Sequence, residues 1–142
     1  MIEVTETVLL GKSADRVASV LEKLHDAGLR IALDDFGTGY ASLTHLKQFP
    51  VSEIKIDRSF VRGVERNAGD AAIVAAVAQL GRNLGLDVTA EGVETDGQAQ
   101  FLRQQDCTFA QGYLFAKPMA ASRIPWFLAA HAETALSRRR LA

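Results

Sequence analysis

The chain has 142 residues, is 48% hydrophobic and carries 16 basic against 17 acidic residues, for a net charge of −1. This is enough sequence for one domain with a buried core, and the balanced charge gives no indication of binding to a nucleic acid polymer. No apolar run approaches the ~18 residues that a membrane-spanning helix needs, and the first residues do not resemble a secretory signal. The single cysteine, Cys107, excludes an intrachain disulfide and suits a reducing compartment. We therefore expect a cytoplasmic protein without a membrane segment.

Strands and helices are predicted to alternate along the whole chain. The strands are expected at about 2–5, 29–33, 53–56, 87–90 and 108–110. The helices are expected at about 14–26, 40–48, 69–84, 96–105 and 122–135. Ser13, Asp96 and Ser122 are predicted to cap three of these helices, and Gly28 and Gly85 to end two of them.

Five strand–helix units in series predict an α/β fold with a parallel sheet and right-handed crossovers. The pattern fits an open doubly wound sheet and also part of a (β/α)8 TIM-type barrel. No change of composition divides the chain. Residues 1–135 are therefore assigned to one domain, and residues 136–142 to a basic C-terminal tail.

The stretch 31–40 joins an apolar run to two adjacent carboxylates, Asp34 and Asp35, followed by the glycine-spaced loop Gly37-Thr38-Gly39. Neighbouring aspartates repel each other unless a positive charge lies between them. A divalent ion such as Mg²⁺ or Mn²⁺ suits carboxylate oxygens. A plain turn is the alternative, because Asp and Gly are common turn residues.

Polar side chains are expected at the carboxyl end of every predicted strand. They are Glu3, Glu6, Asp34, Asp35, Lys55, Asp57, Glu91 and Gln111. Ligands bind at this edge of barrels and α/β sheets, so these groups predict a shared site for metal-assisted chemistry on an anion.

Several residues near these positions have a structural interpretation. Asp57 is expected to cap the turn at Ser59, and Glu94 to cap the helix that follows it. Trp126 and Phe127 are expected in the core.

Five ordered motifs resemble the EAL-domain family, bacterial phosphodiesterases that hydrolyse cyclic di-GMP. They are Glu3-Val-Thr-Glu6, Asp34-Asp35-Phe-Gly-Thr-Gly-Tyr-Ala-Ser-Leu43, Lys55-Ile-Asp57, Glu91-Gly-Val-Glu94-Thr and Gln111-Gly-Tyr-Leu-Phe-Ala-Lys-Pro-Met119. The resemblance implies a modified (β/α)8 barrel in which two Mg²⁺ or Mn²⁺ ions support hydrolysis to linear di-GMP.

The resemblance also implies a role for each site residue. Metal ligands would be Glu3, Asp34, which would bridge two ions, and Asp35, which would bind the second. Glu91 would support the second ion, partly through water. Lys55 would engage the attacking water, and Gln111 would face the water and the substrate region. Glu6 would anchor the loop 36–43. Pro118 would contribute to a nucleobase wall, with an ordinary loop proline as the alternative.

The Glu-Ala-Leu motif and a metal-binding Asn of the family have no counterpart in this chain. A complete barrel needs ~250 residues, and the matched motifs belong to the later part of the family domain. Such a truncation would leave an open strand edge and would expose Val and Ile on the inner face of the sheet. We therefore expect association with a second copy or with a complementary N-terminal half-barrel, and weak or no activity in isolation. A non-catalytic module that binds cyclic di-GMP, or a dimerisation fragment, is the alternative.

Overall fold

A computed structural model of the chain describes residues 1–9, 14–38, 46 and 48–138. Its centre is a five-stranded sheet whose neighbouring strands are all parallel and follow the order of the sequence. The strands are β1 (Ile2–Thr5), β2 (Ile31–Phe36), β3 (Glu53–Ile56), β4 (Asp87–Ala90) and β5 (Phe109–Ala110). A doubly wound sheet reverses its strand order at a switch point. The uninterrupted order here is that of a barrel segment, so the α/β fold is confirmed and the doubly wound alternative is not.

Helices connect these strands. They are α1 (Glu6–Leu9), α2 (Ala14–Asp26), α3 (Arg58–Gly63), α4 (Ala68–Leu84), α5 (Asp96–Gln104), a 3₁₀ turn (Ala121–Arg123) and α6 (Ile124–Arg138). Helices α1 and α3 were not predicted from the sequence. The helix predicted at 40–48 and the cap at Ser13 lie outside the described residues, apart from positions 46 and 48.

Some of the helix boundaries predicted from the sequence are correct and others are wrong, and the capping contacts at the helix ends explain the difference. Gly85 ends α4 in the left-handed conformation with φ +69°, as predicted. The predicted caps Asp96 and Glu94 are wrong, because Thr95 caps α5 by accepting a hydrogen bond from the Gln98 backbone N–H. The Gln98 side chain returns the contact to the Thr95 N–H, which completes a capping box. Ser122 lies within the 3₁₀ turn and is likewise not the cap of α6.

Strand β2 continues further than predicted. It includes Asp34, Asp35 and Phe36, so the two carboxylates lie within its last residues and do not follow it. The pairing with β3 shifts register between Leu33 and Phe36, and Asp35 has a left-handed φ of 56°. Glu3 also lies inside its strand, as the second residue of β1.

Alternation along the strands gives the sheet one apolar and one polar face. The apolar face packs on helices α2 to α5 and forms the core with Leu33, Ile54, Ile56 and Val88. Among the large apolar residues of the described strands, only Phe109 is exposed, at 51%. The expectation that an incomplete barrel would expose Val and Ile on its inner face is therefore wrong, because those residues point towards the helices.

Towards the amino-terminal ends of the strands, charged side chains on the polar face form ion pairs and hydrogen bonds with one another. Glu53 is 5% exposed, and its carboxylate accepts a hydrogen bond of 2.6 Å from the Thr89 hydroxyl. Arg30 pairs with Asp87 and lies 3.5 Å from Glu53. Buried polar atoms need such partners, so this end of the polar face is satisfied by contacts within the described chain.

Helix α6 makes a different contribution from the one predicted. Trp126 is 73% exposed and Leu128 is 61% exposed, so the prediction that Trp126 belongs to the core is wrong. Phe127 is half-buried and stacks on His131. No helix in the described ranges combines the length and the apolar character needed to cross a bilayer.

Candidate functional site

The predicted site is centred on the ammonium group of Lys55. Its Nζ atom lies 2.9 Å from Glu3 Oε1, 3.1 Å from Asp34 Oδ1 and 2.7 Å from Glu91 Oε1. Lys55 is 5% exposed. Four residues that the sequence predicted for one site are thus in direct contact. We call Glu3, Asp34 and Glu91 the carboxylate cluster.

The parallel sheet explains this convergence. Glu3, Asp34 and Lys55 come from β1, β2 and β3, which are adjacent strands. Glu91 directly follows β4, where its backbone N–H donates to the Ile56 carbonyl. Gln111 directly follows β5, and its Nε2 donates to Glu91 Oε1 at 2.7 Å. The site is therefore positioned by backbone pairing between strands and not by one flexible loop.

The charges in the cluster act strongly on Lys55. Burial by itself lowers the pKa of an ammonium group, but contacts with Glu91, Glu3 and Asp34 outweigh burial and raise the pKa of Lys55 above its ordinary value. Lys55 is thus a fixed positive charge at neutral pH. The Oδ1 atom of Asp34 is buried, and Lys55 is its neighbour at 3.1 Å.

Asp35 and Asp57 form a second acidic pair beside the cluster. Burial, then repulsion from Asp34 and Asp57, raises the pKa of Asp35. Asp57 accepts a hydrogen bond of 2.9 Å from the Ser59 backbone N–H, which confirms its predicted capping role. Burial opposes the charge on Asp57, but the hydrogen bonds from Ser59 lower its pKa. Asp57 was predicted at this edge of the sheet, but its position beside Asp35 was not, although its spacing of two residues from Lys55 is the available signal.

The donor atoms of the site have the chemistry that a hard divalent ion requires. Glu3, Asp34, Asp35 and Glu91 supply carboxylate oxygens, which suit Mg²⁺ and Mn²⁺. In the part of the chain that the structure describes, however, no three acidic, His or Cys side chains are arranged as a ready metal cage. Lys55 occupies the point towards which the carboxylates converge.

A cavity of about 450 Å³ opens next to Glu91 and Gln111. Its other walls include Arg58, Tyr113, Lys117 and Pro118. The Lys117 ammonium lies 5.7 Å from the centroid of the Tyr113 ring. Pro118 thus lines the same cavity as the polar residues of the site. Tyr113 and Lys117 belong to the motif 111–119 but were given no role of their own. Arg58 was not predicted for the site, because it lies at a helix start without a distinctive pattern.

Glu6 begins α1 directly after β1 and is 3% exposed. The loop that it was predicted to anchor, 36–43, is described only as far as Thr38. There, the Thr38 hydroxyl and backbone N–H both donate to the Asp35 carbonyl. The anchoring role of Glu6 stays a prediction.

Parallel strands in sequence order, with acidic side chains and a lysine that meet on one face of the sheet, are typical of a barrel-type α/β protein. A family model described as the EAL domain matches residues 1–118. The chain belongs to the EAL-domain family.

Several known proteins share this similarity. The bifunctional diguanylate cyclase/cyclic di-GMP phosphodiesterase MucR of Pseudomonas aeruginosa is 46% identical over 124 residues, which cover 87% of this chain and 18% of MucR. The solved structure of the PaMucR phosphodiesterase in complex with c-di-GMP aligns with a TM-score of 0.81 and 47% identity, over 86% of this chain and 49% of that one. A manganese/cy-diGMP complex of BlrP1 from Klebsiella pneumoniae aligns with a TM-score of 0.75 and 40% identity, over 82% of this chain and 30% of that one.

The chain therefore spans less than a fifth of MucR and about half of the matched phosphodiesterase structure. The match over part of an EAL barrel confirms the prediction of a partial (β/α)8 fold. It also agrees with the later position of the sequence motifs within the family domain.

Proposed function

We propose that this chain provides the carboxylate-bearing half of a metal-dependent phosphodiesterase site that hydrolyses cyclic di-GMP to linear di-GMP. The convergence of Glu3, Asp34 and Glu91 on Lys55, with Gln111 bonded to Glu91, is the observation that carries this proposal. Membership of the EAL-domain family and the cyclic di-GMP complexes of similar proteins also support this proposal.

Glu3, Asp34 and Asp35 would hold two ions of Mg²⁺ or Mn²⁺ in a complete site. Bound ions of this kind polarise a phosphoryl oxygen and supply a water nucleophile at neutral pH. The manganese in the BlrP1 complex supports a divalent ion for this family. The register shift and left-handed φ at Asp35 direct two consecutive carboxylates towards the same edge of the sheet.

The chain's other residues would bind and orient. Lys55 and Gln111 present N–H donors next to Glu91, where an attacking water would be oriented. In the adjoining cavity, Arg58 and Lys117 place positive charge where a phosphate would lie, and Pro118 offers an apolar wall for a base. Glu6 would hold the loop 36–43 against this edge.

Binding of cyclic di-GMP without turnover is the second candidate function. Two observations favour it for the isolated chain. The described residues contain no ready cage of three acidic ligands, and the chain spans about half of the phosphodiesterase structure that it matches. Weak or no hydrolysis by the isolated chain would follow from both.

We propose that a partner completes the barrel. This partner would be either a second copy of the chain or a complementary N-terminal half-barrel. The outer edge of β5 and three large apolar side chains of α6, Ile124, Trp126 and Leu128, are exposed in the described chain. In a (β/α)8 barrel, the helix after a strand packs on the next strand of the closed ring. A reducing cytoplasmic compartment remains our expectation for this assembly.

Hydrolysis is tested by chromatography of cyclic di-GMP incubated with the chain and Mn²⁺. Asp34→Asn keeps the shape of the side chain and removes its charge, whereas Asp96→Asn makes the same change on the exposed start of α5. Formation of linear product that is lost in Asp34→Asn and retained in Asp96→Asn supports the phosphodiesterase. Binding in calorimetry without product would favour the second candidate, and neither binding nor product would refute both.

Association is tested by light scattering after size-exclusion chromatography over a range of concentrations. Trp126→Asp should dissociate a homo-oligomer, whereas Val20→Asp adds the same charge on the exposed side of α2 and should not. A monomeric wild type would exclude the second copy. Co-expression with the N-terminal part of the MucR EAL domain would then test the complementary half.

A further inference from the structure

We propose that Lys55 is an internal counter-ion, which holds the carboxylate cluster together when no metal ion is bound and lowers its affinity for divalent ions. This inference rests on the proposed function in one respect, namely that divalent ions bind at Glu3 and Asp34. It adds a positioning role for Lys55 that precedes any contact with water or substrate.

The geometry gives Lys55 a complete set of partners. An ammonium group has three protons to donate, and three carboxylates lie within 2.7 to 3.1 Å of its Nζ atom. The Lys55 side chain is 6% exposed, whereas Glu3 is 48% exposed on its side chain. The lysine is therefore the buried centre of the arrangement. The three carboxylates therefore match the three protons that Lys55 can donate.

The charges show why this arrangement resists metal binding. Three carboxylates around one point repel each other strongly unless a cation separates them. Lys55 supplies that cation from β3, next to β2 and one strand away from β1. A divalent ion bound by Glu3 and Asp34 would lie close to the same ammonium and would be repelled by it, whichever carboxylate oxygens it used. The positive charge of Lys55 therefore opposes metal binding at the cluster.

Among the described residues, Lys55 is the cation that forms ion pairs with the cluster, whereas Arg58 and Lys117 line the adjoining cavity. Gln111 contributes a neutral N–H donor to Glu91, at 2.7 Å. Lys117 lines the adjoining cavity and is exposed, at the ring of Tyr113. Lys117 therefore provides a matched control, because it is a lysine near the same site that forms no ion pair with the cluster among the described residues.

The test measures metal-free stability and Mn²⁺ affinity of the full chain for wild type, Lys55→Met, Lys117→Met and the double variant Lys55→Met with Glu3→Gln. Melting is followed by circular dichroism in chelator, and free Mn²⁺ by electron paramagnetic resonance. We expect Lys55→Met to melt about 5 °C or more below wild type without metal. We expect it to bind Mn²⁺ at least about tenfold more tightly, because it removes a charge that repels the ion at close range.

The double variant keeps the test informative if Lys55→Met folds poorly. Removing one carboxylate together with the lysine should restore much of the lost melting temperature and weaken Mn²⁺ binding again. Lys117→Met should match wild type in both measurements. These changes in Mn²⁺ affinity would not follow from a purely structural role of Lys55.

The outcomes separate this inference from the proposed function. Equal Mn²⁺ affinity in wild type and Lys55→Met overturns the counter-ion role and leaves the proposed metal site standing. No Mn²⁺ binding by any of the four proteins overturns both. Unchanged metal-free melting of Lys55→Met also overturns the counter-ion role.

Discussion

Gly112 controls the position of Gln111, and replacing it tests whether backbone packing builds the site. A Cβ atom at Gly112 would lie 2.2 Å from the Val93 carbonyl oxygen and 2.3 Å from the Val93 nitrogen. Both are backbone atoms of a residue that is fully buried, so neither can rotate away as a side chain does. We therefore expect Gly112→Ala to push apart the segments that carry Glu91 and Gln111.

The cost follows from the contacts that would be lost. Val93 N–H donates to the Gln111 carbonyl, and Leu114 N–H donates to the Val93 carbonyl, each at 3.0 Å. Losing two buried backbone hydrogen bonds costs about 1 kcal/mol each, and overpacking adds about 1–3 kcal/mol. Together they give about 3–5 kcal/mol, or a fall of about 10 °C or more in melting temperature for a chain of this size.

The assay is thermal melting by circular dichroism of Gly112→Ala beside Gly97→Ala. At Gly97 the added Cβ meets the end of the Glu65 side chain, which can swing away, and the position lies in the first turn of α5. We expect a small change there. If both variants melt within about 2 °C of wild type, the backbone around Val93 yields easily and our account of how Gln111 is held is wrong.

Three further predictions follow from particular side chains. Asp35 has a raised pKa in the folded chain, caused by burial and by Asp34, so the folded chain binds more protons than the unfolded one between the ordinary pKa of 3.8 and the raised value. The proton on Asp35 stabilises the folded chain fully below pH 3.8, and this stabilisation is lost as the pH rises. In metal-free buffer, Asp35→Asn should therefore have a higher melting temperature than wild type at pH 7. In a pH series of melting curves, the difference between the two melting temperatures should narrow towards pH 4. An equal gap at every pH would show that the charge of Asp35 is not its cause. Thr95→Ala removes the capping hydrogen bond with Gln98 and the hydrogen bond of 2.7 Å to Glu65. In chemical unfolding, we expect the free energy of unfolding to fall by about 1–2 kcal/mol, and Thr95→Ser to recover most of this loss. An unchanged unfolding midpoint for Thr95→Ala would show that Thr95 does not stabilise the helix as a cap. Burial raises the pKa of the Cys107 thiol to about 11, so Ellman's reagent at pH 8 should react with it slowly in the folded chain and quickly after unfolding, whereas equal rates would contradict the burial.

The site shows clearly how far sequence reasoning reaches. Lys55, Glu91 and Gln111 were predicted for one edge of a parallel sheet, and the structure brings them into contact. That prediction needs only strand boundaries and the rule that parallel strands end at the same edge. Asp57 was predicted at the same edge but not beside Asp35, and Arg58 was not predicted for the site, since both positions depend on how α3 begins.

The errors also have physical causes. Trp126 was expected in the core because large aromatic residues are usually buried. In the described chain, β5 is the last strand of the sheet, and Trp126 on the following helix α6 is exposed. Asp96 and Thr95 are both good caps by residue type. Which one caps α5 depends on the extended backbone at Thr95 and on the return bond from Gln98.

The sequence by itself determined the strand–helix alternation and the α/β class, because these depend on local periodicity. It also determined the family and the charged residues of the candidate site, because these depend on short motifs. Tertiary structure alone decided which face of the sheet holds the Val and Ile side chains, that β2 shifts register at Asp35, and that Lys55 is enclosed by Glu3, Asp34 and Glu91. Those features depend on distances between residues up to 88 positions apart in the chain, as between Glu3 and Glu91. A local pattern carries no information about such distances, and only the pairing of all five strands fixes them.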